Sequence, residues 1–452
     1  MRAAYLILLA ILVATYACAL NEIKKKSSRL TALLGWMIGL GFFLIIPLSV
    51  VTLHGGYRAP QAYEINGWGD VDLSNLSSLK PFIVIWLSVM SACAVAYFCC
   101  PTTLGDWVAD WPAIRRKLER SILITMIIGV IGWLVMIYAV GGLEAFLISH
   151  WYNRIADLVE QHGTGFVLFD HFTQANDIVF TGAAALYTSL GLRNRDTRWP
   201  FTLFIAAFLL IGMAMTGNRI YIALYLLSFL TSAWLFNRKR IIGLILVISP
   251  ILAIFFSSWA AVRHDLTGVP DSMSNYVADY SPRNNALTAI MDATEGTDVT
   301  LLMHMINDFG NRLPYLYGGT YGRIFTFFLP KRIYPSRPQD FTTLTAGIYE
   351  PGGATSLGST ALGEAFANCG FLGILALPIW TWLGCRFPIG RHQGKAFDLV
   401  SPVAFVMFIW FARGTLAESA LLMVGALMLI YLLRLAPRCE IPQGQSSRQA
   451  PN

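Results

Sequence analysis

Apolar stretches follow one another along almost the whole chain, and a single region late in the sequence breaks the pattern. The stretches are 3–20, 31–53, 81–100, 121–140, 177–192, 199–217, 220–236, 241–258, 359–384, 398–412 and 419–433. A helix needs about 20 consecutive apolar residues to cross a bilayer, and most of these come close. Composition agrees: 56% of the 452 residues are hydrophobic and 13% charged, against roughly a quarter charged in a soluble domain. The expected fold is an all-α integral membrane protein of about eleven transmembrane helices with one large extracytoplasmic loop. The chain then divides into helices 1–8 over 1–258, the loop over 259–358, helices 9–11 over 359–435, and a Gln-, Ser- and Pro-rich disordered cytoplasmic tail over 436–452.

The distribution of charge orients the bundle. The net charge of +7 is not a nucleic-acid signal, because the basic residues sit in short clusters between apolar stretches. Lys24, Lys25, Lys26 and Arg29 form one cluster, and Arg115, Arg116, Lys117 and Arg120 another. Arg193, Arg195 and Arg198, then Arg238, Lys239 and Arg240, then Arg386, Arg391 and Lys395, and finally Arg434, Arg438 and Arg448 continue the series. They fall on alternate connections, as cytoplasmic loops do. The N-terminus is therefore expected outside the cytoplasm and the C-terminus inside. Arg2 before 3–20 is outweighed by the lysines after it, so that stretch is a retained helix rather than a cleaved signal.

On this orientation the large loop lies outside, carrying Arg263, Arg283, Arg312, Arg323, Lys331, Arg332 and Arg337. A cationic outer loop suits an anionic substrate at the outer membrane face. Helix-like segments are expected at 284–292 and 299–309 within it, and short interfacial helices at 143–150 and 152–161. None of the seven cysteines lies in the loop, so no disulfide framework is expected there. No His/Cys group has metal-ligand spacing. Asp70-Val71-Asp72 is the one Asp-x-Asp pair in an outer connection, and it follows the second span, so no metal is expected. No internal repeat is visible, which argues against transporters built from inverted repeats.

Three arginines mark the outer ends of helices. Arg219 ends the tight turn Thr216-Gly217-Asn218-Arg219, Arg263 follows the eighth span in Val262-Arg263-His264, and Arg413 separates the last two spans. Each has a plain alternative role, snorkelling to lipid phosphates or capping a solvated helix end. As a set beneath the loop they suit a diphosphate, since a guanidinium donates two parallel hydrogen bonds and keeps its charge when half-buried. Arg323 and Arg337 flank a Pro-rich run over 329–338. Glu364 places a carboxylate in the first turns of an apolar helix, with Asn368 at i+4 on the same face. It is the candidate general base; His264, His304, Asp265 and Glu350 compete for that role. Tyr315, Tyr317, Tyr321 and Tyr334 are candidates for stacking on sugars.

These segments resemble the Wzy-type O-antigen or repeat-unit polysaccharide polymerases. Thr216–Arg219 is similar to their Gly-x-Arg turn, and Arg263 to the arginine that opens their large loop. Phe328-Leu329-Pro330 through Tyr334-Pro335-Ser336-Arg337-Pro338 resembles their Pro-x-x-x-aromatic-Pro-x-basic-Pro run. The 359–370 segment resembles their Gly-Glu-x-x-x-Asn-x-Gly helix, and Arg413 a late arginine. The resemblance covers the C-terminal half by motif and the N-terminal half by topology. It implies the glycosyltransferase C superclass and residence in the bacterial inner membrane. It also implies metal-independent inverting transfer, without a cofactor, of undecaprenyl-diphosphate-linked glycan onto a lipid-linked repeat unit at the periplasmic face. Glu364 would be catalytic, and Arg219, Arg263, Arg323, Arg337, Arg413, Tyr334 and Asn368 would bind substrate. Membrane lipids, a chain-length regulator and a flippase are the candidate partners, with no nucleic acid. An O-antigen ligase, a lipid-linked oligosaccharide flippase or transporter, and a membrane O-acyltransferase are the alternatives.

Overall fold

A backbone surrounded by hydrocarbon has no water to bond, so it pairs with itself as helix, and helix dominates the computed structural model. The structure describes residues 2–26, 32–57, 71–73, 79–99, 111–151, 164–193, 196, 198–216, 222, 225–226, 297–326, 334–349, 360–386 and 408–416. In chain order these form α1 (Arg2–Lys26), α2 (Ala32–Leu40), a π turn (Gly41–Ile45), α3 (Ile46–His54), α4 (Leu79–Cys99), α5 (Trp111–Ala139), α6 (Leu143–Trp151), α7 (Thr164–Arg193) and α8 (Trp199–Thr216). From the large loop come α9 (Thr297–Asp308), α10 (Arg323–Thr326) and α11 (Phe341–Tyr349), and α12 (Ala361–Arg386) follows. A two-residue antiparallel ribbon pairs Gly56–Tyr57 with Val71–Asp72. Among the described residues, four helical segments are long and apolar enough to cross a membrane: Arg2–Ile23, Leu33–His54, Arg115–Ala139 and Ala361–Ile379.

The helices pack in two groups. In the first, α4 lies against α1 and α12, α2 and α9 lie against α12, and the residues around Phe408–Ala412 join the same apolar cluster. In the second, α5 pairs with α7, and α6 lies against α5 and α8, with Trp133 stacked on Phe208 at 5.2 Å. Lipid removes the hydrophobic drive between such helices and leaves close packing and polar contacts to hold them. Small residues serve that purpose: Gly39 lies against the Ile409 carbonyl, Gly132 against Thr173, and Ala183, Ala184 and Ala185 are buried. The opposite face of α5 exposes Ile124, Ile127, Ile131, Leu134 and Val135, a stripe suited to lipid.

Two irregularities have local causes. Tyr16 Oη donates to Met37 O at 2.9 Å, taking the acceptor that residue 41 would use in an α-helix. The ladder slips by one residue, and Ile46 N–H bonds to Gly41 O as a π turn. Gly41 leaves room for the Tyr16 ring. The basic cluster before the fourth span, expected as a connection, lies inside α5. There Arg115 pairs with Asp196, Glu119 lies 3.7 Å from both Arg115 and Arg198, and Tyr187 Oη reaches Glu119 at 3.4 Å. The clamp continues the helix beyond its apolar part.

The expected span over 359–384 is interrupted. Cys369 (φ −136°, ψ 15°) and Gly370 (φ 58°, ψ −139°) leave helical geometry. Gly373 comes into direct contact with the carbonyl of Ala365. In an unbroken helix residues eight apart would be about 12 Å apart, so the chain turns back on itself at the break. Such a break frees carbonyls that need donors. The large loop provides them: Leu316 N–H bonds to Ala367 O and Tyr317 N–H to Asn368 O, both at 2.9 Å.

Candidate functional site

The break in α12 brings the large loop and the turn at 410–416 onto the same few residues. Thr360 caps the helix, its Oγ1 accepting from Gly363 N at 3.0 Å. This sets Glu364 one turn in, where the positive helix end favours a carboxylate. Glu364 is 1% exposed and Asn368 0%. Thr320 Oγ1 of the loop donates to Glu364 Oε1 at 2.8 Å, and Leu416 N–H donates to Oε2 at 2.6 Å. Asn368 Nδ2 donates to Thr320 Oγ1 at 2.7 Å and to Glu364 O at 2.8 Å. One carboxylate thus ties three separate stretches of chain together.

That geometry bears on the role expected of Glu364. A general base must reach the proton it removes. Here both oxygens accept hydrogen bonds from the protein and the residue is buried, so in this conformation the carboxylate works as a strut. Tyr321, next to Thr320, is half-buried. Burial first, then the Glu364 charge, then Cys369, push its hydroxyl well above the usual tyrosine range, so it stays a neutral donor at physiological pH.

A second tie joins the loop to the last described turn. Arg413 Nε lies 3.4 Å from Asp298 Oδ2 in the first turn of α9, and its guanidinium sits 4.7 Å over the Trp410 ring. The side chain of Asp298 is 7% exposed. Arg413→Met is expected to lower stability by about 2 kcal/mol, by leaving that carboxylate short of its cation. Asp298→Asn combined with Arg413→Met is expected to recover most of the loss. Thermal unfolding of the two single variants and the double variant measures the coupling, and additive losses would contradict it.

The cationic part of the site lies just beyond Thr320. Arg323 N–H bonds back to Thr320 O at 3.0 Å. The Arg323 side chain reaches Pro338 O at 3.3 Å and Asp340 Oδ1 at 3.6 Å, and Asp340 also accepts from Thr342 Oγ1. Arg337 is brought alongside by the turn Tyr334–Arg337, closed by Arg337 N–H to Tyr334 O at 3.0 Å. Burial, and then the positive charge of Arg323, lower the Arg337 pKa, with Asp340 opposing. Two guanidiniums near enough to repel each other, with Asp340 beside them, form a cationic cluster that suits an anion.

The four tyrosines divide. Tyr315 packs at 6.1 Å from Phe366 and wedges between Gly310 and Gly370, and Tyr321 is half-buried. Tyr334 is 38% exposed and Tyr317 is 84% exposed. Tyr317 has φ 48°, the positive-φ residue other than glycine among the described residues. Its backbone is held there by the hydrogen bond to Asn368 O, which turns the ring outward. His304 sits half-buried on α9.

Arg219, Arg263, His264, Asp265, Glu350, Asp70 and the 284–292 and 152–161 segments lie outside the described residues. The structure brings together Glu364 and Asn368, and separately Arg323 and Arg337, with Arg413 three residues before the Leu416 amide that bonds Glu364. Thr320, Asp298 and Asp340 were not expected from sequence. Asp340, three residues after Arg337 in a Pro-rich turn, was the one with a readable signal. No family model, no curated protein and no solved structure matches this chain.

Proposed function

We propose that the chain is a glycosyltransferase of the bacterial inner membrane that polymerises undecaprenyl-diphosphate-linked oligosaccharide repeat units at the periplasmic face. The observation that carries this reading is the Arg323–Arg337 pair. It stands on the large outer loop, one turn from a polar network buried against an interrupted apolar helix. The motif resemblance of the same residues supports it.

The chemistry follows from the leaving group. An acceptor sugar hydroxyl attacks the anomeric carbon of the donor glycan, and the carbon–oxygen bond to the diphosphate breaks. The diphosphate departs with the electron pair, and the hydroxyl proton passes to a base. Charge grows on the leaving diphosphate, and fixed guanidiniums stabilise it without reorganising. Arg323 and Arg337 are proposed for that task, and Arg413 is proposed to bind substrate as well. Tyr317 and Tyr334 offer exposed ring faces for sugars. Glu364 and Asn368 hold the loop in register, and Glu364 acts as base only if Thr320 withdraws. No metal or cofactor enters the scheme. A chain-length regulator and a flippase are the proposed partners.

Deleting the gene in its host and resolving the surface polysaccharide on a gel tests this. Deletion is expected to leave a single repeat unit on the lipid core. Arg323→Ala combined with Arg337→Ala, present in the membrane at wild-type level, is expected to fail to restore the ladder. Two lost charge-assisted hydrogen bonds slow transfer roughly 100-fold or more. Complete loss of surface polysaccharide with polymer left on the carrier would instead indicate a ligase. Single units accumulating on the cytoplasmic face would indicate a transporter.

A further inference from the structure

The hydrogen-bond directions around Thr320 are fixed by chemistry. An ionised carboxylate only accepts and an amide NH₂ only donates. The Asn368 amide is oriented unambiguously, because its Nδ2 also faces the Glu364 carbonyl, which can only accept. The chain therefore runs one way, from Asn368 Nδ2–H to Thr320 Oγ1 and from Thr320 O–H to Glu364 Oε1. The hydroxyl is used as acceptor and donor at once, and Thr320 is 5% exposed. Its backbone carbonyl, in turn, accepts the Arg323 N–H at 3.0 Å. Between the buried carboxylate and the first arginine of the anion pocket there is one residue, and both of its ends are in use.

We propose that Thr320 is the positioning residue of the anion pocket. Its hydroxyl, held between Asn368 and Glu364, sets where Arg323, and through it the Arg323–Asp340–Arg337 group, stands over the interrupted helix. This rests on the reading of that pocket as the diphosphate site. Neighbouring contacts sharpen the placement. The turn around Thr320 is closed by Tyr321 N–H to Gly318 O at 3.1 Å and Gly322 N–H to the same oxygen at 3.3 Å. A Cβ on Gly322 would lie 3.2 Å from the Pro338 ring. The turn thus has little freedom of its own, and a shift at Thr320 is passed to Arg323 and to the proline run beside it.

Inorganic pyrophosphate is the probe, titrated calorimetrically into the purified full-length chain in detergent, with the unfolding temperature recorded for each variant. Thr320→Val keeps the shape and removes both hydrogen bonds, and is expected to weaken pyrophosphate binding roughly tenfold. Thr320→Ser restores the hydroxyl and is expected to bind within about threefold of wild type. A purely structural role would lower the unfolding temperature of Thr320→Val and leave the affinity of the folded fraction unchanged, which would overturn the inference. Where Thr320→Val does not fold, Asn368→Ala, which removes the donor to Thr320 Oγ1, serves in its place, and wild-type affinity there would overturn it equally. If Arg323→Ala abolishes binding while Thr320→Val leaves it intact, Thr320 has no positioning role and the pocket stands. If the wild-type chain does not bind pyrophosphate, the pocket and the inference both fall.

Discussion

Glu364→Ala is expected to abolish the proposed polymer extension and to lower the stability of the folded chain by about 4 kcal/mol. The figure follows from what the substitution leaves behind. Leu416 N–H and Thr320 O–H lose their acceptors in a buried site, and an unmet buried donor costs about 1–3 kcal/mol. The loss is expected to show as a lower unfolding temperature and reduced accumulation in the membrane. Glu364→Gln separates the two roles open to this residue. An amide keeps one oxygen for the Leu416 amide, and its NH₂ donates to Thr320 Oγ1, so much of the strut survives. Activity within about tenfold of wild type in Glu364→Gln fits positioning. A folded Glu364→Gln with no activity would assign the carboxylate a proton-transfer role instead.

Gly373→Val is expected to be the most damaging single substitution outside the polar network. A side chain there meets the backbone of Ala365 across the break in α12, and backbone cannot swing aside as a flexible side chain can. Overpacking of this kind costs upwards of about 4 kcal/mol when no rotamer relieves it, and no folded protein is expected to accumulate. Gly347 in α11 supplies the contrast, since a Cβ there meets nothing within 4 Å. Gly347→Ala is expected to be neutral or to stabilise by about 0.5 kcal/mol, because it removes glycine from a helix. Comparable membrane levels of the two variants would contradict the close approach at Gly373.

The contrast between these two glycines shows where the fold was legible in sequence. Apolar length marked α1, α4, α5 and α8, because hydrocarbon leaves the backbone little choice but helix. The loop helix expected over 299–309 is found as Thr297–Asp308, and that over 143–150 as Leu143–Trp151. The break at Cys369–Gly370 was not legible. Its local sequence is apolar and small, as a packed helix would be, and its carbonyls are satisfied by loop residues some fifty positions earlier. The π turn likewise depends on a tyrosine hydroxyl from another helix.

The site divides in the same way. Glu364 and Asn368 were linked by helical spacing alone. Arg323 and Arg337 were singled out by the proline run between them. Their partners Thr320 and Asp340, and Asp298 beside Arg413, are ordinary loop residues by composition, and only tertiary packing gives them a role. The base role drawn for Glu364 came from a carboxylate standing in an apolar helix. The structure adds two buried donors that converge on that carboxylate from other stretches of chain, Thr320 O–H and Leu416 N–H.

Reconstitution tests the central claim most directly. The purified full-length chain is placed in vesicles with a repeat unit linked to undecaprenyl diphosphate and nothing else that turns over. Chain length and free lipid diphosphate are then measured together. Polymerisation predicts a glycan ladder, with one lipid diphosphate released for every unit joined, and loss of both signals in the Arg323→Ala, Arg337→Ala variant. Repeat units that cross the bilayer unchanged, with no lipid diphosphate released, would contradict it.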